Sequence, residues 1–144
     1  MSNDTPVKKI LIIEDEIAFA NMLKIRLELN GYMATITQDG LKGFELAKEI
    51  LPDLIILDLT LPDMASPEEL DQIQLDKNMG HKVCRMIKFD KTLGHIPVLI
   101  LTCSDIDGDA VLANKCGADA YMLKTTSTEI VLDIIKKLIE QSSK

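Results

Sequence analysis

Two hydrophobic periods alternate along the chain. Lys9-Ile10-Leu11-Ile12-Ile13, Leu54-Ile55-Ile56-Leu57 and Pro97-Val98-Leu99-Ile100-Leu101 are apolar at consecutive positions and rich in β-branched residues. That density marks strands buried on both faces, as in a parallel sheet. Pro97 is tolerated because it stands first in its strand. Tyr32 to Thr37 alternates as an exposed edge strand does, and Ala120 to Leu123 supplies a fifth run. Segments of helical spacing lie between. Glu16 to Asn30 carries one stripe at Ile17, Ala20, Leu23 and Leu27 and another at Ala18, Ile25 and Leu29, with Gly31 as the stop. Gly40 to Leu51 is a second helix, ended before Pro52, and Gly80 to Phe89 a third. Asp109 to Cys116, stopped by Gly117, is a fourth, and Glu129 to Glu140, capped by Thr126 or Ser127, a fifth.

Strands alternating with helices predict βαβ units: an α/β fold with a doubly wound five-stranded parallel sheet and helices on both faces. Ligands in such sheets gather beyond the carboxyl ends of the strands. Strand one runs into Glu14-Asp15-Glu16, strand three ends in Asp58, strand four in Thr102 and strand five in Lys124. No glycine-rich phosphate loop follows any strand, which removes the usual nucleotide cradles.

Composition narrows the partners. The 144 residues suit one domain, residues 1–144, large enough for a core without disulfides or a structural metal. Sixteen basic against 23 acidic residues leave a net charge of −7, which opposes attraction to nucleic acid or anionic lipid. No apolar run approaches a membrane span and Met1 to Lys9 lacks the core of a secretory signal, so a cytoplasmic protein is expected. Cys84, Cys103 and Cys116 form no C-x-x-C pair and read as reduced thiols in apolar surroundings; His81 and His95 have no partner at metal-ligand spacing.

The strand-end residues carry the chemistry. Glu14, Asp15 and Asp58 are brought together at adjacent strand ends, and like charges about 4 Å apart repel by roughly 4 kcal/mol at an effective dielectric near 20. Such a cluster takes up protons, spreads apart or binds a cation. Oxygen ligands with room for water suit Mg²⁺. A carboxylate beside that ion can attack phosphorus to give an aspartyl phosphate, with Lys124 and the Thr102 hydroxyl holding phosphoryl oxygens. Taken singly, each residue has a duller reading: strand ends are solvated, and Glu16 could simply cap the next helix.

The sequence resembles the receiver domains of two-component response regulators, the family that includes the chemotaxis regulator. The resemblance rests on Ile10-Leu11-Ile12-Ile13-Glu14-Asp15-Glu16, Pro52-Asp53-Leu54-Ile55-Ile56-Leu57-Asp58-Leu59 with Leu61-Pro62, His95-Ile96-Pro97-Val98-Leu99-Ile100-Leu101-Thr102 and Gly117-Ala118-Asp119-Ala120-Tyr121-Met122-Leu123-Lys124. It implies a flavodoxin-like sheet of order 2-1-3-4-5. It also implies that Asp58 is the phosphoacceptor and that Asp15 and Asp58 ligate Mg²⁺ directly, Glu14 through water and Thr60 through its main-chain carbonyl. Thr102 and Tyr121 would form the switch that reports phosphorylation to the face of the fourth helix, fifth strand and fifth helix. For Tyr121, amphipathic packing with a wet hydroxyl is the competing reading.

Three features depart from the family pattern. Ala65 to Met79 forms an insertion, at about residues 65–79, between strand three and helix three. It holds Glu68, Glu69, Asp71 and Asp76 against Lys77, and Ser66-Pro67-Glu68-Glu69 reads as a helix start. Either a flap over the rim or a solvated loop fits it. Thr125 stands where proline is usual, and a trans bond is expected there because a non-proline cis bond costs about 3–4 kcal/mol. Cys103 replaces a smaller residue and reads chiefly as packing.

The resulting expectation is a signalling switch rather than an enzyme, apart from self-catalysed phosphorylation and dephosphorylation. Its partners would be a sensor histidine kinase or histidine phosphotransfer protein, a downstream protein target and, compatibly, a second copy of itself; neither nucleic acid nor membrane is expected. Thr60 and Ser104 occupy positions that, by resemblance, tune the lifetime of the phosphorylated form. Two alternatives come from other classes. One is a receiver-like interaction module that phosphorylation does not turn over. The other is a haloacid-dehalogenase-type phosphatase, disfavoured because that class needs a second Asp where Thr60 stands.

Overall fold

The computed structural model describes residues 6–58, 79–102 and 117–142. Five strands, β1 (Lys9–Ile13), β2 (Met33–Thr37), β3 (Leu54–Leu57), β4 (Val98–Thr102) and β5 (Ala120–Leu123), form one sheet of order β2-β1-β3-β4-β5. Every adjacent pair is parallel. The doubly wound order and the edge position of β2 are as the sequence implies. Among the described residues the helices are α1 (Ile17–Leu29), α2 (Gly40–Ile50), α3 (Met79–Phe89) and α4 (Thr128–Ser142).

The consecutive apolar runs are explained by two cores, one on each face. Leu11, Ile13, Ile55, Leu57, Val98 and Ile100 pack with Ala47 of α2 and Val83, Cys84 and Ile87 of α3. Ile10, Ile12, Leu54, Ile56, Leu99 and Leu101 pack with Ala20, Leu23 and Leu27 of α1 and Val131, Ile135 and Ile139 of α4. Burying each Leu or Ile contributes roughly 2 kcal/mol, which ties both helical layers to the same strands. Of the two stripes on α1, Ala20, Leu23 and Leu27 of the first are buried, whereas its leading Ile17 and the second stripe's Ala18, Ile25 and Leu29 stay exposed.

Element ends follow local chemistry. The Gly31 N–H donates to the Glu28 carbonyl and the Tyr32 N–H to the Leu27 carbonyl, with Gly31 at φ +91°, a Schellman stop that delays β2 to Met33. The Asp39 carboxylate caps α2 by accepting from the Leu41 and Lys42 N–H groups. That helix ends where Leu51 turns left-handed (φ 47°) before Pro52. The last helix begins at Thr128, one residue before the expected start, with the Ser127 hydroxyl accepting from the Ile130 N–H at 3.4 Å. β4 takes in Thr102 and leaves out Pro97, which lacks the ladder's N–H.

Cys84 is buried in apolar surroundings, as expected. No cis peptide bond occurs among the described residues, so Lys124–Thr125 is trans. Thr60, the 65–79 insertion apart from the backbone of Met79, Cys103, Ser104, the expected helix over Asp109 to Cys116 and Cys116 itself lie outside the described residues.

Candidate functional site

The sheet ladder is extended one residue beyond three of its strands, and each extension fixes a polar side chain. The Glu14 N–H donates to the Thr37 carbonyl at 3.0 Å, that of Asp58 to the Ile13 carbonyl at 3.1 Å, and that of Lys124 to the Thr102 carbonyl at 2.7 Å. Three backbone positions at the carboxyl rim are thereby set by main-chain pairing. The loop after β1 is pinned by Gln38, whose amide donates to the Asp15 carbonyl at 3.0 Å.

Glu14 and Asp58 are each only 2% exposed, whereas Asp15 is solvent-facing. One carboxylate oxygen from each of Glu14, Asp15 and Asp58 lies within 4.8 Å of the others, a spacing that a single cation could bridge. The cluster anticipated from the strand ends is therefore assembled. Asp15 leaves it open to solvent on one side, as a hydrated ion such as Mg²⁺ requires.

Lys124 enters the same space from β5. Its Nζ stands 2.8 Å from Glu14 Oε1, 3.4 Å from Asp58 Oδ2 and 3.7 Å from Glu16 Oε1. Burial pushes the Glu14 carboxyl up to about 7 and the Asp58 charge pushes the same way, while Lys124 and the Glu16 N–H pull it down. Burial also opposes the Lys124 charge. The Glu14 hydrogen bond and the charges of Asp58 and Glu14 outweigh it and hold the ammonium above its ordinary range. Glu16 makes no side-chain cap on α1: its N–H donates to Glu14 Oε2 at 3.0 Å and its carboxylate turns to Lys124.

Thr102 is fully buried at the end of β4, opposite Leu123 in register. Tyr121, opposite Ile100, is half-buried and packs against the core beneath α2 and α3. Since side chains alternate along a strand, Thr102 shares that face with Ile100, and so with Tyr121. Sequence reasoning missed two contributors, Gln38 and Phe19. Phe19 lies in the first turn of α1, with its ring centroid 4.8 Å from Lys124 Nζ. Its place five residues after Glu14 was the only available signal. A separate cavity of about 240 Å³, bordered by Leu51, Pro52, Asp53, His95, Ile96, Ile139 and Ser142, shares no residue with the rim.

The family described as response regulator receiver domain matches residues 10–136. The dual master transcriptional regulator RpaA of Synechocystis is 34% identical over 136 residues, which are 94% of this chain and 51% of that protein. The polar-differentiation response regulator DivK of Brucella ovis is 30% identical over 132 residues, 92% of this chain and 96% of that one. The chain thus spans about half the length of RpaA and nearly all of DivK. A CheY-like receiver domain structure from Methanospirillum hungatei has a TM-score of 0.79 at 23% identity, covering 96% of this chain and 98% of that one. No described helix is long and apolar enough to cross a membrane.

Proposed function

The chain belongs to the response regulator receiver domain family, and from that premise we propose that it is a cytoplasmic phosphorylation switch whose phosphoacceptor is Asp58. The observation that carries this reading is the juxtaposition at the rim. The buried Asp58 carboxylate lies within 4.8 Å of two further carboxylates and 3.4 Å from a lysine ammonium.

The donor set fits a hard divalent cation. Glu14, Asp15 and Asp58 offer only oxygen, and Asp15 leaves the solvent side open. Thr60 would add its carbonyl. When bound, Mg²⁺ would neutralise carboxylate and phosphoryl oxygens that otherwise repel one another.

The chain's own residues do the rest. An Asp58 oxygen attacks the phosphorus of a phosphohistidine on a sensor kinase or phosphotransfer protein. A P–O bond forms, the P–N bond breaks, and its electron pair returns to the departing imidazole. Lys124 moves from Glu14 toward a phosphoryl oxygen and the Thr102 hydroxyl donates to another, so catalysis is positioning and charge stabilisation. Water later attacks the acyl phosphate, releasing phosphate and restoring the carboxylate. While the phosphoryl group stays, Thr102 and Tyr121, on one face of the sheet, bias the domain toward a partner-binding state. The downstream target would dock at the face of the sequence-predicted fourth helix, β5 and α4. The 65–79 insertion would belong to this same domain.

Incubation with Mg²⁺ and acetyl phosphate, followed by intact mass, tests the reading. One added phosphoryl group is expected, absent in Asp58→Asn and without Mg²⁺. No addition to the wild type would favour an interaction module that phosphorylation does not turn over.

A further inference from the structure

The Phe19 ring forms an apolar wall beside the Lys124 ammonium, and we infer that Phe19 is a positioning residue that keeps Nζ at the rim while the lysine changes partners. This rests on the phosphoacceptor reading and extends it to a residue outside the motif-bearing strand ends. Three carboxylates hold Nζ, at 2.8, 3.4 and 3.7 Å. The ring centroid lies 4.8 Å away, within the roughly 6 Å over which an aromatic face attracts a cation. Phe19 is itself fixed, half-buried in the core beneath α1 and α4. A small cavity of about 40 Å³, bordered by Phe19, Met22, Leu23, Leu101, Lys124 and Val131 among others, adjoins the pair.

The chemistry gives this contact a use. To hold a phosphoryl oxygen, Lys124 has to release hydrogen bonds to Glu14, and at that moment the flexible four-carbon stem could carry Nζ out toward water. Attraction by a ring face does not depend on which oxygen accepts from the ammonium. It persists through the exchange and keeps the charge where it is needed. The ring also excludes water from one side of Nζ, strengthening its pull on oxygen.

The test replaces Phe19 by Leu, by Tyr and by a series of progressively fluorinated phenylalanines, which drain the ring face of electron density at nearly constant shape. Two quantities are read on full-length protein with Mg²⁺: the maximal rate of phosphorylation by acetyl phosphate, and the proton shifts of the Lys124 ε-methylene and ammonium. In the wild type the ring current shifts those protons upfield. Phe19→Leu abolishes that shift and lowers the maximal rate about three- to tenfold, with Mg²⁺ affinity unchanged. Phe19→Tyr restores both, and the logarithm of the rate falls steadily with fluorination. Equal rates across the series, with Asp58 still phosphorylated, would overturn the role of Phe19 and leave the phosphoacceptor reading intact. An unshifted Lys124 in the wild type would overturn the geometry itself. A wild type that takes no phosphoryl group would overturn the phosphoacceptor reading, and with it the role of Phe19 in transfer.

Discussion

Lys124 Nζ lies 2.8 Å from Glu14 Oε1, nearer than to Asp58 Oδ2 at 3.4 Å. Without a phosphoryl group, the lysine from the last strand is thus held mainly by the acid at the end of the first. Asp58 is approached more loosely, and on the proposed mechanism the lysine waits within reach of a phosphoryl group on Asp58. Both side chains are nearly buried, so the arrangement depends on charge balance as much as on shape.

The first consequence is a dependence of stability on pH. Glu14 in the folded chain titrates near 7, above its ordinary 4.5, chiefly because burial disfavours its charge. The folded state therefore holds a proton that the unfolded state has released. The Glu14 contribution is fully present below about 4.5 and lost as pH rises through about 7. Urea melts across that window should show wild-type stability falling relative to Glu14→Gln, by up to roughly 3 kcal/mol. Mg²⁺ affinity, measured by calorimetry, should weaken by up to about tenfold per pH unit below 7, since the proton competes with the ion.

Removing the internal cation should expose the opposing roles of Lys124. In Lys124→Met the carboxylates lose their ammonium, and metal-free protein should melt at lower temperature. Calorimetry should show Mg²⁺ binding at least about fivefold tighter, because the cluster is more negative. Thermal melts should show a larger rise on adding Mg²⁺ than in the wild type. Phosphorylation by acetyl phosphate should slow by roughly a hundredfold or more.

Gly43 is required by a close approach of α2 to β1. A Cβ there would stand 2.6 Å from Ile13 Cδ1 and 2.8 Å from Ile13 Cγ1. Gly43→Ala gains about 0.5–1 kcal/mol of helix propensity but overpacks the core by about 1–3 kcal/mol. Urea unfolding should show net destabilisation, partly relieved in the double variant with Ile13→Val, which removes Cδ1. Ile13 immediately precedes Glu14, so the single variant should also weaken Mg²⁺ binding.

The start of β4 is tied down by a side-chain network. Asp119 Oδ2 accepts from the Val98 N–H at 2.8 Å and from Lys88 Nζ at 2.9 Å, and Lys88 Nζ also donates to the Ile96 carbonyl at 2.9 Å. Asp119→Ala leaves the Val98 N–H without this acceptor and should cost about 1–3 kcal/mol in urea unfolding. Asp119→Asn keeps an acceptor and should lose less.

Much of this was legible because parallel strands buried on both faces write themselves as unbroken apolar runs, and the residue after each run is then a rim residue. Glu14, Asp58 and Lys124 were found that way, and Thr102 as the last residue of its strand. Side-chain partnerships were not legible. That Lys124 favours Glu14, that Phe19 lies against it, and that Asp119 joins Lys88 depend on rotamers and on contacts between residues far apart in sequence. The two apolar stripes of α1 show the same limit. Periodicity gives both, and only the packed fold selects Ala20, Leu23 and Leu27 over Ile25 and Leu29.

The central claim is that Asp58, and no other side chain, takes the phosphoryl group. Borohydride reduction of the phosphorylated protein converts an acyl phosphate to an alcohol, and tandem mass spectrometry of the peptides then locates it. Homoserine at position 58 alone is the predicted result. An unreduced Asp58 with the label at Glu14, Asp15 or elsewhere would contradict the account.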